Sequence, residues 1–279
     1  MKTIQQQLDI PREKARSLGY QTLEILNKGS YTSRSGAEID ISKEIEESKS
    51  MTVTYSPDIE LPLNYKGNYQ TRFFVKNMTT LSAAKSLVDN GDDPAVLNMA
   101  SATSPGGGWL SGARAQEEYL ARSTALYATL QNSTMYLRKD FHTNPFYDDY
   151  VIYSPDVVVF RDDNGELMED YYYCSTLTSP AVQANAVRHY MPDREPEIAM
   201  VMKKRIQKLL AVAAKHNHTT LVLGAWGCGA FGNDGNLIAG LFKKAFQENF
   251  AGVFDRVIFA ITDWSPEHRF IGPFMIFNS

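Results

Sequence analysis

Only two cysteines, Cys174 and Cys228, occur in 279 residues. That is too few for a disulfide framework or a closed Cys-based zinc site, and a reduced, cytoplasmic setting is expected. The five histidines lack metal spacing: His142 is isolated, and His189, His216, His218 and His268 form no H-x-x-x-H pair. No run approaches the roughly 18 to 20 apolar residues of a membrane span. The first twenty residues are polar, without the apolar stretch of a secretory signal. Basic surplus is also missing. With 28 Lys+Arg against 32 Asp+Glu the net charge is −4, so duplex nucleic acid is not an expected partner. An anionic ligand must then be held by local backbone geometry, which directs attention to loops.

What is present is a soluble composition, 43% hydrophobic and 22% charged, without repeats or low-complexity tracts. Residues 11–28 predict an amphipathic helix opened by Pro11, with Ala15, Leu18, Leu23 and Leu26 at helical spacing and Gly29 as its stop. The polar residues 30–50 read as a solvated loop, with room for short strands. Strands are expected over 51–56, 71–77 and 95–97, and a threonine-capped helix from Thr79 to Asn90. Beyond these, the pattern predicts a helix over 115–131 and strands over 150–160 and 170–178. Arg161 to Gly165 makes a hairpin turn and nothing more. A long helix is expected over 196–216, a strand over 219–223, a helix over 236–249 and a strand over 256–261. The alternation argues for a mixed or parallel sheet with helices on its faces. The simplest division is an accessory helical segment over 1–50 and one α/β domain over 51–279.

Two loops follow short buried strands and precede helices, where ligands bind in open α/β sheets. The first runs from Asn98 through Gly106, Gly107 and Gly108 to Gln116, Glu117 and Glu118 at a helix start. Consecutive glycines permit positive φ and let a ligand press against main-chain N–H groups. Acidic residues at a helix start are often mere dipole complements, but these lie within reach of the glycine-lined loop. Adjacent side chains on a helix do not face each other, so Glu117 and Glu118 do not flank a bond as a glycosidase pair does. One acting carboxylate suits an O-glycosidic bond at a ribose anomeric carbon, which breaks through an inherently stabilised cation.

The second loop, Gly224 to Asp234, contains Gly227, Cys228, Gly229, Ala230, Phe231 and Gly232 ahead of a helix. Its N–H groups and the helix dipole suit a diphosphate. GCGAFG matches the dinucleotide pattern G-x-G-x-x-G, but no ribose-binding acid follows a second strand. Cys228 reads as a nucleophile or, more simply, as a small residue in a tight loop. Phe231 suits stacking on a ribose or base, or plugging the core. Ser179, Ala181 and Asn185 are placed to line the same cleft.

NMASATSPGGG, seven residues, then QEE, followed later by GAWGCGAFGND, closely resembles microbial-type poly(ADP-ribose) glycohydrolases. The resemblance implies a macrodomain: a three-layer α/β/α fold with a mixed, largely parallel sheet and, here, an N-terminal helical extension. It implies Glu118 as catalytic acid, Glu117 on the distal ribose and Asn98 on its hydroxyls. Gly106–Gly108 and Gly224–Gly232 would cradle the diphosphate, with Phe231 beside the distal ribose and Gln116 part of the signature. Val182-Gln183-Ala184-Asn185 departs from the family's Pro-Asn ending, so no adenine contact is carried over there. The implied reaction releases ADP-ribose from poly(ADP-ribose) or ADP-ribosylated proteins, by a monomer needing no metal or cofactor. Three alternatives stand beside it. They are a non-hydrolytic ADP-ribose reader, a hydrolase of single ADP-ribose adducts or O-acetyl-ADP-ribose, and a nicotinamide-dependent oxidoreductase.

Overall fold

A computed structural model of the chain describes residues 3–278; Met1, Lys2 and Ser279, at the ends of the expected segments, lie outside the described residues. Helix α1 (Ile4–Leu8) is followed by α2 (Arg12–Lys28), which Gly29 closes at φ 76° by returning its N–H to Ile25. The buried face of α2 is Ala15, Leu18, Gly19, Thr22 and Ile25. Leu23 and Leu26, expected there, sit at its margin, because the stripe follows the 3.6-residue turn through Thr22 and Ile25. A small hairpin, β1 (Ser30–Thr32) and β2 (Glu38–Asp40), leads into α3 (Ser42–Met51). The expected loop over 30–50 is therefore half helix. Asp40 Oδ1 accepts from Ser42 N–H at 2.8 Å, and Ile41 and Ile45 bury one narrow edge. Two isoleucines among charges carry too little periodicity to announce a helix.

The remaining elements are β3 (Val53–Tyr55), β4 (Arg72–Lys76), α4 (Thr80–Val88), β5 (Pro94–Met99), α5 (Gln116–Ser123) and α6 (Leu126–Leu130). After them come β6 (Val151–Arg161), β7 (Leu167–Ser179), α7 (Ala184–Tyr190), α8 (Glu197–Lys215), β8 (Thr220–Leu223), α9 (Gly235–Glu248) and β9 (Arg256–Ala260). The single helix expected over 115–131 is two. Thr124 leaves helical geometry to bridge Val159, and its Oγ1 caps the new start at Leu126 N.

Seven strands form one sheet in the order β3-β6-β7-β5-β8-β9-β4. β5 pairs in parallel with β7 and β8, β8 with β9, and β9 with β4; the β3–β6 and β6–β7 pairs are antiparallel. Because successive side chains leave a strand on opposite faces, the central strands feed two cores. Leu97, Leu221, Leu223 and Phe259 pack with Ile206, Leu209, Phe242 and Phe246 of α8 and α9. Val96, Val222 and Ile258 pack with Leu81, Ala84, Leu120 and Leu126 of α4 to α6, and this second core includes Ile25, Tyr31, Ile41 and Ile45. The result is the expected three layers. All four parallel strand pairs point their carboxyl ends to one edge, where the loops after β4, β5, β8 and β9 converge.

Candidate active site

Leaving β5, the chain turns back on itself through Gly106 and Gly107, at φ 73° and 61°, and re-enters the fold at α5. Helix α5 is eight residues long and all but Gln116 are buried. Its first turn faces the loop that preceded it. Glu117 Oε2 accepts from Ser101 N–H at 2.6 Å, and Glu118 Oε1 accepts from Gly108 N–H at 2.9 Å. A Cβ on Gly107 would collide with Glu118 Oε1 and lie 2.8 Å from Glu117 Oε2. Glycine is thus required at 107 by both conformation and space.

Glu117 and Glu118 are 4% and 8% exposed, and each has one oxygen, Glu117 Oε1 and Glu118 Oε2, without a hydrogen-bond partner. Asn98, fully buried at the end of β5, spends its Nδ2 on Thr178 Oγ1 at 3.2 Å and leaves Oδ1 unpaired. Unpaired buried polar atoms are costly in a fold and mark places where a ligand or water completes the bonding. Burial pushes the Glu117 carboxyl well above the ordinary carboxylate range. The charge of Glu118 adds to this, while the Ser101 and Gly106 N–H groups and Asn98 oppose it. Arg122, one turn on and buried, donates to Ala113 O at 2.7 Å; burial lowers its proton affinity and Glu118 raises it.

Gln116 has its amide committed to β5. Its Oε1 accepts from Met99 N–H at 2.9 Å and its Nε2 donates to Leu97 O at 2.7 Å. It clips the helix start to the strand end. The N-terminal segment supports the same region from behind. Thr22 Oγ1 donates to Arg122 O at 2.6 Å, Arg12 Nε to Ser111 O at 2.9 Å, and a Cβ on Gly19 would lie 2.9 Å from Trp109 O.

The second loop leaves β8 and reaches α9 through Asp234, whose carboxylate caps the Asn236 and Leu237 N–H groups. Gly227, at φ 72°, packs so closely that a Cβ would sit 2.6 Å from that of Ala181. Asn233 Nδ2 donates to Val182 O at 2.7 Å, and Asn185 N–H donates to Phe231 O at 2.9 Å. Segment 181–185 therefore braces this loop. Asn185 belongs to the brace, and Ser179 Oγ is spent on Tyr150 O at 2.6 Å. Gly229 alone in the loop has nothing within 4 Å of a Cβ position.

A cavity of ≈ 430 Å³ opens between the two loops, within the size range of small-molecule sites. Of the residues singled out from sequence, Gln116, Gly227, Gly229, Ala230 and Phe231 line it, together with Ala181. Asn98, Gly106, Glu117 and Glu118, buried, and Gly107 and Gly108, half-buried, form the neighbouring group, joined to the cavity through the lining residues Met99, Ala100, Gln116 and Tyr119. Cys228 and Gly232 lie behind the loop surface. The Cys228 thiol is buried and pushed up to about 12, chiefly by burial and then by Asp234, so it is no thiolate at neutral pH.

The rim after β9 carries no sequence signal of its own. Thr262, Trp264 and Phe270 line the cavity there. Asp263 organises this segment, accepting from Ser265, Phe270 and Ile271 N–H groups. Against the cost of burial, the Ser265 hydroxyl, which donates to Asp263 Oδ1 at 2.6 Å, and then these N–H groups hold its carboxyl down at about 2. Among the described residues no three His, Cys, Asp or Glu side chains group as metal ligands, and no helix is long and apolar enough to cross a membrane.

The profile of the microbial-type PARG catalytic domain matches residues 19–162. The chain is similar to the poly(ADP-ribose) glycohydrolase of Thermomonospora curvata at 40% identity. The match covers 95% of this chain and 99% of that one, with TM-scores of 0.88, and 0.86 for the form bound to the inhibitor ADP-HPD. It is also similar to the Deinococcus radiodurans poly(ADP-ribose) glycohydrolase in complex with ADP-ribose, at 36% identity over 83% of this chain and 96% of that one, TM-score 0.79. No curated protein sequence matches.

Proposed function

The chain belongs to the microbial-type poly(ADP-ribose) glycohydrolases and is a hydrolase of that class; we propose that Glu118 is its general acid and base. The bond to be broken joins a ribose anomeric carbon to the 2′-oxygen of the adjacent unit. The cavity between the glycine loops takes the terminal ADP-ribose, its diphosphate against the N–H groups of the 224–232 loop and of Gly106–Gly108. Net acidic charge makes backbone donors the means of holding that dianion.

Glu118 delivers a proton to the departing 2′-oxygen as the distal ribose gains oxocarbenium character, and the nearby diphosphate stabilises that charge. The same carboxylate then takes a proton from water attacking the anomeric carbon, which regenerates the acid and gives free ADP-ribose. Glu117, pushed toward its neutral form by burial, bonds a ribose hydroxyl through its free Oε1, and Asn98 Oδ1 accepts from another. Gln116 acts on the helix start it clips to β5, and Phe231 packs beside the distal ribose. A monomer in the reducing cytoplasm accords with two free, buried cysteines.

The observation that carries this reading is the trio of buried, unpaired oxygens on Asn98, Glu117 and Glu118 beside a ligand-sized cavity. A protein that only binds ADP-ribose has no use for a second buried carboxylate there. The test is incubation with purified poly(ADP-ribose) and chromatography for free ADP-ribose. Release of ADP-ribose is the expected result. Binding of ADP-ribose without release from the polymer would make the protein a reader. Release only from singly modified proteins would make it an adduct hydrolase.

A further inference from the structure

Resting on the glycohydrolase reading, we propose that Asp163, at the tip of the β6–β7 hairpin, is a positioning residue that sets one wall of the substrate cavity. Local sequence marks this tip as a turn only. The hairpin, however, does not stay flat: register shifts between Ser154 and Val157 and between Val159 and Arg161 bend it, as extra residues in a ladder do. Its outer half reaches α4, where Tyr172 Oη donates to Leu81 O at 2.9 Å.

At the tip, Asp163 gathers three hydroxyls. Its Oδ2 accepts from Thr79 Oγ1 at 2.9 Å and Ser82 Oγ at 2.6 Å, and its Oδ1 accepts from Tyr119 Oη. Thr79, the cap of α4, and Tyr119, on α5, both line the cavity, and Tyr119 directly follows Glu118. Thr79 Oγ1 also caps α4, accepting from Ser82 N–H at 2.9 Å. The neighbouring Thr80, another lining residue, accepts from Gln116 Nε2 at 3.2 Å. One carboxylate thus fixes the first turn of α4 against α5, and Gln116 ties both to the end of β5. Three donors on one side chain require an acceptor with two oxygens and no hydrogens, a role an ionised carboxylate fills and an amide fills only in part.

Asp163 touches neither substrate nor the reacting atoms and acts through Thr79 and Tyr119. Removing it takes the acceptor from the buried Thr79 hydroxyl and leaves Tyr119 Oη only the longer bond to Thr79 Oγ1, at 3.4 Å, and the wall relaxes. In calorimetry with ADP-ribose, Asp163→Ala is expected to raise Kd about tenfold at a temperature where circular dichroism is native. KM for poly(ADP-ribose) should rise in parallel, with kcat affected much less than by Glu118→Gln. Asp163→Asn should recover part of the loss. Tyr119→Phe should raise Kd less, and adding it to Asp163→Ala should change nothing further, because the two share one interaction. A lowered melting temperature with Kd and KM unchanged in Asp163→Ala and Asp163→Asn would overturn the proposal, as would fully additive effects with Tyr119→Phe. Should Asp163→Ala not fold, Asp163→Asn and Tyr119→Phe decide by the same readout. Failure of the wild-type protein to bind ADP-ribose or cleave the polymer would instead strike the glycohydrolase reading itself.

Discussion

Glu117 and Glu118, consecutive in the chain, are tethered to opposite ends of one loop: Glu117 to the N–H of Ser101 at 2.6 Å, Glu118 to the N–H of Gly108 at 2.9 Å. Neighbours on a helix project about 100° apart, and the loop exploits that angle by meeting each carboxylate with a different amide. The two groups therefore have separate environments and cannot exchange roles. One is pushed toward its neutral form by burial, while the other lies one helical turn from the buried Arg122 guanidinium.

Substituting each carboxylate by its amide separates those roles. Glu118→Gln keeps size and reach but carries no transferable proton, so kcat should fall about 10²- to 10⁴-fold with little change in ADP-ribose affinity. Glu117→Gln should cost less in turnover and more in binding. Single-turnover kinetics with poly(ADP-ribose), paired with calorimetry, distinguishes them. Full activity in Glu118→Gln would remove it from the chemistry.

The two glycine loops predict opposite behaviour for the same small change. Gly107→Ala forces a Cβ against both carboxylates at positive φ, so turnover should drop at least about 100-fold and the melting temperature should fall. Gly229→Ala meets nothing within 4 Å and should leave the melting temperature unchanged. If diphosphate presses on that loop, however, Gly229→Ala should weaken ADP-ribose binding about tenfold. Unchanged affinity in Gly229→Ala would place the phosphates elsewhere.

Burial of Glu117 also leaves a mark on stability. Its folded-state pKa lies well above 4.5, so between that value and the folded pKa the native state holds a proton the unfolded chain has released. The penalty is absent below about pH 4.5, grows as pH rises through the folded pKa, and is constant above it. Glu117→Gln lacks it. Ligand-free Glu117→Gln should therefore melt about 2 °C or more above the wild type at neutral pH, with the gap closing toward pH 4. A gap independent of pH would show that the carboxyl is not strained by burial. A site group that costs stability in the empty protein is expected where function and folding compete.

Much of this was legible in the sequence because strong local signals coincide with the sheet edge. Gly29 ends α2, Thr79 caps α4, and the short apolar strands around Val96 and Val222 point to a buried parallel sheet. The glycine runs and the Gln-Glu-Glu triplet mark the two loops between which the cavity opens. What escaped depends on partners distant in sequence. The helix Ser42–Met51 exists because Ile41 and Ile45 find a core built by α6 and β6, not because its own residues demand it. Asp163 reads as turn chemistry until the bend of its hairpin brings it to Thr79 and Tyr119. Trp264 and Phe270 line the cavity only because Asp263 folds the segment between them, a network of backbone donors with no periodicity to detect.

Eight residues is too short for a helix to persist by itself in water, and α5 has no side-chain cap at its start and breaks at Thr124. The direction of Glu118 is thus borrowed from Gln116 on β5, from Thr22 and Arg161 on the Arg122 carbonyl, and from the bridge to Val159. Loosening any of these lenders is expected to misaim Glu118, the proposed acid, before the seven-stranded sheet gives way. In a urea series, turnover should vanish at concentrations where far-ultraviolet dichroism and tryptophan fluorescence still report the native protein. Added ADP-ribose, by tying the loops back together, should draw the two transitions into one.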